Sequence, residues 1–242
     1  MIFFYMNPIL IAAAIIPAIF LLVKVYKADR LEREPPLLLL SLVLYGIIAT
    51  GLAMVTERLG SFILNSIFSQ NTILYNVMMY FIVVAFSEEG FKYLLLKKRT
   101  WYSLAFNCQF DGVVYATFVS LGFALWENIG YVLRYGFGTA MVRAVTAVPG
   151  HACFGVFMGA WYGLAKRYDN MGKQSASKIC RFMAFLLPAF MHGCYDFIAT
   201  MESVHYGWIF VGFIALMFII ALLVIRNMSK HDCYISNNSI YF

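Results

Sequence analysis

Long apolar runs separated by short polar gaps dominate the chain. They fall at about 5–23, 37–56, 73–96, 110–133, 144–165, 182–201 and 207–225, each near the ~20 residues an α-helix needs to cross the hydrocarbon core of a bilayer. The pattern predicts an all-α fold, a polytopic bundle of about seven transmembrane helices. No gap is long enough for a separate soluble domain. The predicted organisation is one transmembrane domain over residues 1–226, with the chemistry concentrated in about 72–201, and a short polar tail over 227–242. The first run lacks a basic leader and a small-residue cleavage site, so it reads as a retained span. No internal repeat of the kind that builds many transporters is visible.

Composition agrees. The chain is 62% hydrophobic and 12% charged, with a mean hydropathy of +0.77, whereas a soluble domain carries roughly a quarter charged residues. A net charge of +6 raises the question of nucleic acid, but the placement of the basic residues answers it. Alternate gaps hold Lys24, Lys27, Arg30 and Arg33, then Lys97, Lys98 and Arg99, then Lys166, Arg167, Lys173, Lys178 and Arg181, then Arg226 and Lys230. The intervening gaps hold only Arg58, Arg134 and Arg143. Positive-inside bias therefore predicts the N-terminus outside and the C-terminus in the cytoplasm. The charge serves topology in the lipid bilayer, and no nucleic-acid partner is expected. The five cysteines are odd in number and lie mostly within or beside spans, so no disulfide framework is expected.

Against this background the stretch FSEEGFKYLLLKK, Phe86 to Lys98, is anomalous. A charged side chain at the bilayer centre costs about 2.5–3.5 kcal/mol on insertion scales, and a large apolar one returns only about 0.3–0.6. Glu88, Glu89 and Lys92 must therefore meet partners or line a wet cavity. Counting ~1.5 Å per helical residue from the loops places Glu88, Glu127, His151, His192 and Asp196 in one slab, from the midplane toward the outer half. Glu88 and Lys92 are four residues apart, as are His192 and Asp196, so each pair shares a helix face. Asp196 is placed to orient His192 or to act as a ligand itself. Glu88 and Glu89 lie ~100° apart on a helix, and Lys92 neutralises one of them, leaving the other as a base.

Structural roles compete with these. A single intramembrane Glu or His can simply bridge helices, and Lys92 can snorkel. Asp111 reads as a helix N-terminal charge. Cys153 and Cys194 each follow a histidine at i+2 and so point to the opposite face, which assigns them to packing. His205 and His231 fall in a loop and the tail and read as solvated.

The order Glu88-Glu89-x-x-Lys92, Phe123-x-x-x-Glu127, His192-x-x-x-Asp196 resembles the three motifs of the PrsW family of intramembrane proteases. That family is a branch of the group containing the CAAX prenyl endopeptidases and bacteriocin-processing membrane proteins. DGVVYATFVSLGFALWENIGYV (Asp111 to Val132) is similar to its fourth-helix signature. ADRLEREPP (Ala28 to Pro36) is similar to its first cytoplasmic loop, and VPGHACFG (Val148 to Gly155) to its additional histidine segment. The likeness runs from about residue 24 to 200. Glu127 stands where the CAAX branch has a histidine. The resemblance implies an endopeptidase cutting single-pass membrane proteins near the extracytoplasmic side, with an anti-sigma factor as the expected type of substrate.

Two site chemistries satisfy peptide hydrolysis in a membrane. In one, Glu127, His151 and His192 hold zinc, Glu88 or Glu89 is the base, and Asp196 orients His192 or completes the ligand set. In the other, Glu88 activates water directly and a histidine meets the oxyanion. A proton-coupled transporter or channel, or a non-catalytic scaffold of the same fold, are the competing classes. The expected architecture has spans three to six around a polar cavity, with spans one, two and seven peripheral.

Overall fold

The computed structural model describes residues 8–70, 72–201 and 204–235. Residues 5–7 of the first expected span and 236–242 of the expected tail lie outside the described residues. Among the described residues seven stretches are long and apolar enough to span a bilayer, and the protein is a multi-pass membrane protein.

Helix α1 (Pro8–Ala28) leads to a short loop and α2 (Pro36–Ile67), whose first turn is fixed by Pro35 and Pro36. The third span is composite: α3 (Ile73–Val77), a π-helical segment (Met78–Ala85) and α4 (Phe86–Thr100) run on without a break. Helix α5 (Asp111–Tyr135) ends at Gly136, whose φ of 84° turns the chain into the short α6 (Phe137–Val145). Then follow α7 (Ala147–Asn170), α8 (Gln174–Ala199) and α9 (Val204–Lys230).

Several boundaries differ from the sequence reading. Helix α2 runs eleven residues past 56 to Ile67, because no Gly–Pro break follows Val55 and the apolar face resumes at Leu59, Phe62 and Ile63. The fifth run divides into α6 and α7, and α8 begins at Gln174, eight residues before 182. Basic residues marked the edge of lipid in the sequence, but a helix does not stop where its lipid contact stops.

Helix α5 is the centre of the bundle, and nearly all its residues from Asp111 to Ala124 are buried. It packs on α7 through Gly155, Gly159 and Gly163, spaced by four. A Cβ on Gly159 would stand 2.4 Å from the Gly112 carbonyl oxygen, and one on Gly163 only 2.1 Å from that of Gln109. With lipid as apolar as leucine, close backbone approach of this kind is what holds spans together. Gly46 of α2 meets α5 in the same way. The π segment is held between α2 and α8, where Gly60 admits Val83 and Gly193 admits Phe81.

At the face carrying most of the lysines and arginines, Trp101, Phe106, Tyr115 and Tyr162 form a buried aromatic plug. The chain beyond α9 lies against this end. Cys108 and Tyr234 form an antiparallel bridge, Ile235 N–H donates to Asn107 O (2.7 Å), and Ile235 is buried. Residues 227–230 thus belong to α9 and 231–235 pack on this end of the bundle; the sequence suggested a polar tail from 227 because it weighed their polarity and not the apolar anchor Ile235.

Candidate active site

The anomalous charges of α4 meet partners from three other helices. Glu88, Glu89 and Lys92 stand one turn after the π segment, a kind of local widening common next to functional sites. Lys92 is completely buried and does not snorkel. Its ammonium donates to Glu89 Oε1 (2.7 Å) and Glu88 Oε2 (3.2 Å) and lies 3.0 Å from His151 Nδ1 on α7. It also sits 3.9 Å from the centroid of the Phe123 ring on α5.

The two imidazoles are arranged alike, with Nδ1 turned inward and Nε2 toward an outer carboxylate. His151 Nε2 is 3.0 Å from Glu127 Oε2. His192 Nε2 is 3.4 Å from Asp196 Oδ2, while its Nδ1 is 3.0 Å from Glu89 Oε1. The rings meet edge to face at 5.3 Å, and Phe154 stacks on His192 at 4.7 Å. Outer carboxylates of this sort fix a ring's tautomer and direction. His192, with a carboxylate at each nitrogen, either donates from both or shares a cation with Glu89.

The site closes one end of a cavity of about 740 Å³. Glu88, Glu127, His151, His192 and Asp196 line it, and its mouth is ringed by Arg58, Arg134, Tyr135 and Thr200, at the face opposite the lysine-rich one. Glu89 is completely buried behind Glu88 and does not line it. The ~100° helical offset between adjacent residues thus becomes a division between a cavity-facing carboxylate and a buried one.

The structure brings together Glu88, Glu89, Lys92, His151 and His192, with Glu127 and Asp196 each one imidazole further out. Donor atoms of Glu88, Glu89, His151 and His192 lie within 4.8 Å of one another, and Glu127 is outside that group. Glu127 is instead clamped by Arg143 of α6, which donates to Glu127 Oε2 (2.7 Å) and to Asn128 Oδ1 (2.9 Å). Asn128 in turn donates to Ala14 O of α1 (2.8 Å). Sequence reasoning missed Arg143, counting it as a loop charge, and missed Glu57. Span two is therefore not peripheral: Thr50, Glu57 and Ser61 of α2 line the cavity. The signal for Glu57 was an acid inside an unbroken helical run. Cys153, Cys194, His205 and His231 stay outside the cluster, as expected, although His205 lies in the first turn of α9 and not in a loop.

The donor chemistry fits a zinc ion. Two imidazoles and two carboxylates converge, and Glu89 Oε2 is buried with no hydrogen-bond partner. The Lys92 ammonium lies among the same donors, so an ion and this ammonium compete for one place.

Comparison with known proteins agrees with the geometry. Residues 34–224 match the family described as PrsW family intramembrane metalloprotease, a span that reaches into α9, beyond the likeness read from the motifs. The chain is 32% identical over 222 residues to Protease PrsW of Oceanobacillus iheyensis, covering 92% of this chain and 97% of the relative. It is 32% identical over 201 residues to Protease PrsW of Bacillus subtilis, covering 83% and 86%. Protease PrsW of Clostridioides difficile is 30% identical over 235 residues, covering 95% and 92%. No solved structure matches the chain. With its motif residues gathered at the closed end of a membrane cavity and these relatives along most of its length, the chain belongs to the PrsW family of intramembrane proteases.

Proposed function

We propose that this protein hydrolyses a peptide bond of a single-pass membrane protein inside the cavity, near the face where the cavity opens, and that an anti-sigma factor is the type of substrate cut. The observation that carries the reading is Glu88 facing the cavity beside two imidazoles, each backed by a carboxylate. Positive-inside charge bias supports an extracytoplasmic mouth.

Glu88 takes the proton of a water that enters from the mouth and returns it to the departing amine. His151 and His192 line the same cavity and, with both nitrogens of each ring held by other residues, wall the place where the oxyanion develops. Glu127 and Asp196 hold the two rings in place, and Arg143 holds Glu127. Glu89 keeps Lys92 and His192 beneath the reacting groups. Zinc, when bound, would be held by His151, His192 and Glu89, and would supply a water of lowered pKa and a Lewis acid. In this ligand set Glu89 takes the place that the sequence suggested for Glu127.

The position of the Lys92 ammonium favours a second reading, in which that cation supplies the positive charge and Glu88 acts without metal. Purified protein assayed on a tagged single-pass substrate separates the two. Zinc near one equivalent per chain, with cleavage lost to a chelator and regained on zinc return, supports the first. Full cleavage in metal-stripped protein supports the second. Absence of cleavage of any single-pass substrate, together with ion or solute flux in proteoliposomes, overturns the protease reading.

A further inference from the structure

A second set of buried carboxylates lies at the opposite end of α5 from the active site. Asp111 opens that helix sixteen residues before Glu127, or ~24 Å away along it. Asp29 and Glu34 reach it from the loop between α1 and α2, and carboxylate oxygens of Asp29, Glu34 and Asp111 lie within 4.8 Å of one another. All three residues are at most 3% exposed.

Their hydrogen bonds do not account for them. Asp111 Oδ2 accepts from the backbone N–H groups of Cys108 (2.6 Å) and Asn107 (3.0 Å), and Glu34 Oε2 accepts from Tyr115 (2.5 Å). Both oxygens of Asp29 are buried with no partner, and Asp111 Oδ1 has none except the facing Glu34 carboxyl, with which it shares a proton when one of the two is protonated; the Glu32 backbone helps Asp29 electrostatically without reaching hydrogen-bond geometry. This face is rich in lysine and arginine, yet among the described residues no basic nitrogen comes within 4.0 Å of these three carboxylates. Burial, aided for Asp29 by repulsion from Asp232, pushes Asp29 up to about 6; burial likewise pushes Glu34 up to about 7, against the Tyr115 hydrogen bond. A buried polar group without a partner is costly, and an isolated charge more so.

We propose that Asp29, Glu34 and Asp111 form a binding site for a hard divalent cation of the magnesium or calcium class. The donors are all oxygen, as such ions prefer, and they include carboxylate oxygens that nothing else occupies. The site joins three separate pieces of chain: the α1–α2 loop, the start of α5, and, through Asp232, which receives the Phe110 N–H (2.9 Å), the segment after α9. It is independent of the protease reading.

The test uses the full-length protein in detergent, stripped with a chelator and titrated with magnesium, calcium or zinc chloride. Binding is followed by calorimetry and by thermal unfolding. One magnesium or calcium ion per chain is expected beyond any bound at the active site, with a rise in Tm. Asp29→Asn should lose at least about tenfold in affinity. Because Asp29 makes no hydrogen bond, the metal-free variant should melt no lower than metal-free wild type, which separates lost binding from misfolding. Glu88→Gln should keep the response. No magnesium or calcium binding at millimolar concentration overturns the proposal, as does a response that Asp29→Asn leaves intact. A response to zinc alone that Cys108→Ala abolishes also overturns it, moving the site to Cys108, Asp111 and Asp232.

Discussion

Glu88 and Glu89 are neighbours in sequence with different surroundings, and their amide variants should separate. Glu88→Gln removes the carboxylate that faces the cavity, and its only ion-pair contact with Lys92 is the longer one, 3.2 Å against 2.7 Å for Glu89. Cleavage is expected to fall by about 10²–10⁴-fold, the range of a general base, with a thermal melt in detergent close to wild type. Glu89→Gln leaves Lys92 and His192 short of a buried partner, and removing one member of a buried ion pair costs about 3–5 kcal/mol. That variant should lose cleavage and melt lower. Equal melts for the two would contradict the division of roles. Arg143→Ala frees Glu127, which orients His151, and removal of such outer support costs about 10–100-fold in activity. Arg143→Lys should recover only part of it, because a single ammonium cannot reproduce the two-ended contact to Glu127 and Asn128. Cleavage rates of the pair of variants on one substrate check this.

At the scale of elements, the α5–α7 contact sets the spacing between Glu127 and His151, and it depends on backbones that touch. Gly159→Leu would drive a side chain into the Gly112 carbonyl and Val113; overpacking costs about 1–3 kcal/mol or more. Lower yield of folded protein, a lower melt and loss of cleavage are expected. Gly51→Leu is the matched control, since nothing lies within 4 Å of a Cβ there. The seven spans were legible because apolar length is a direct consequence of bilayer thickness. The π segment was not, since a one-residue widening of a helix leaves no mark in hydropathy. Nor was the α6–α7 division, which turns on the backbone conformation of the single residue Thr146. The site residues stood out because charge in lipid is costly. Their partnerships did not: Glu127 to Arg143, and Lys92 to His151, depend on helix rotation, which spacing along one helix cannot give.

For the whole molecule, the cavity enters from one face and its lining stops at Glu88 and Phe123, with none of it drawn from the lysine-rich end. Beyond lie Lys92, Glu89 and then the aromatic plug of Trp101, Phe106, Tyr115 and Tyr162. The proposed cleavage thus takes place in a blind chamber. Helix α2 supplies part of the chamber wall, and its extension to Ile67 carries Arg58 and Ser61 up to the rim. Deleting or breaking the end of α2, for instance by Phe62→Pro at an exposed position, should weaken substrate use while the cluster below keeps its form. A rise in KM larger than any fall in kcat would mark that outcome, and unchanged kinetics would count against a role for the rim.

The plug has a consequence for the cell. A hydrolase in lipid must admit water, and a wet path reaching both faces would short-circuit the ion gradients that power the organism. Four interlocked, buried rings stand between the wet chamber and the opposite face, an apolar barrier of the kind an insulating membrane requires.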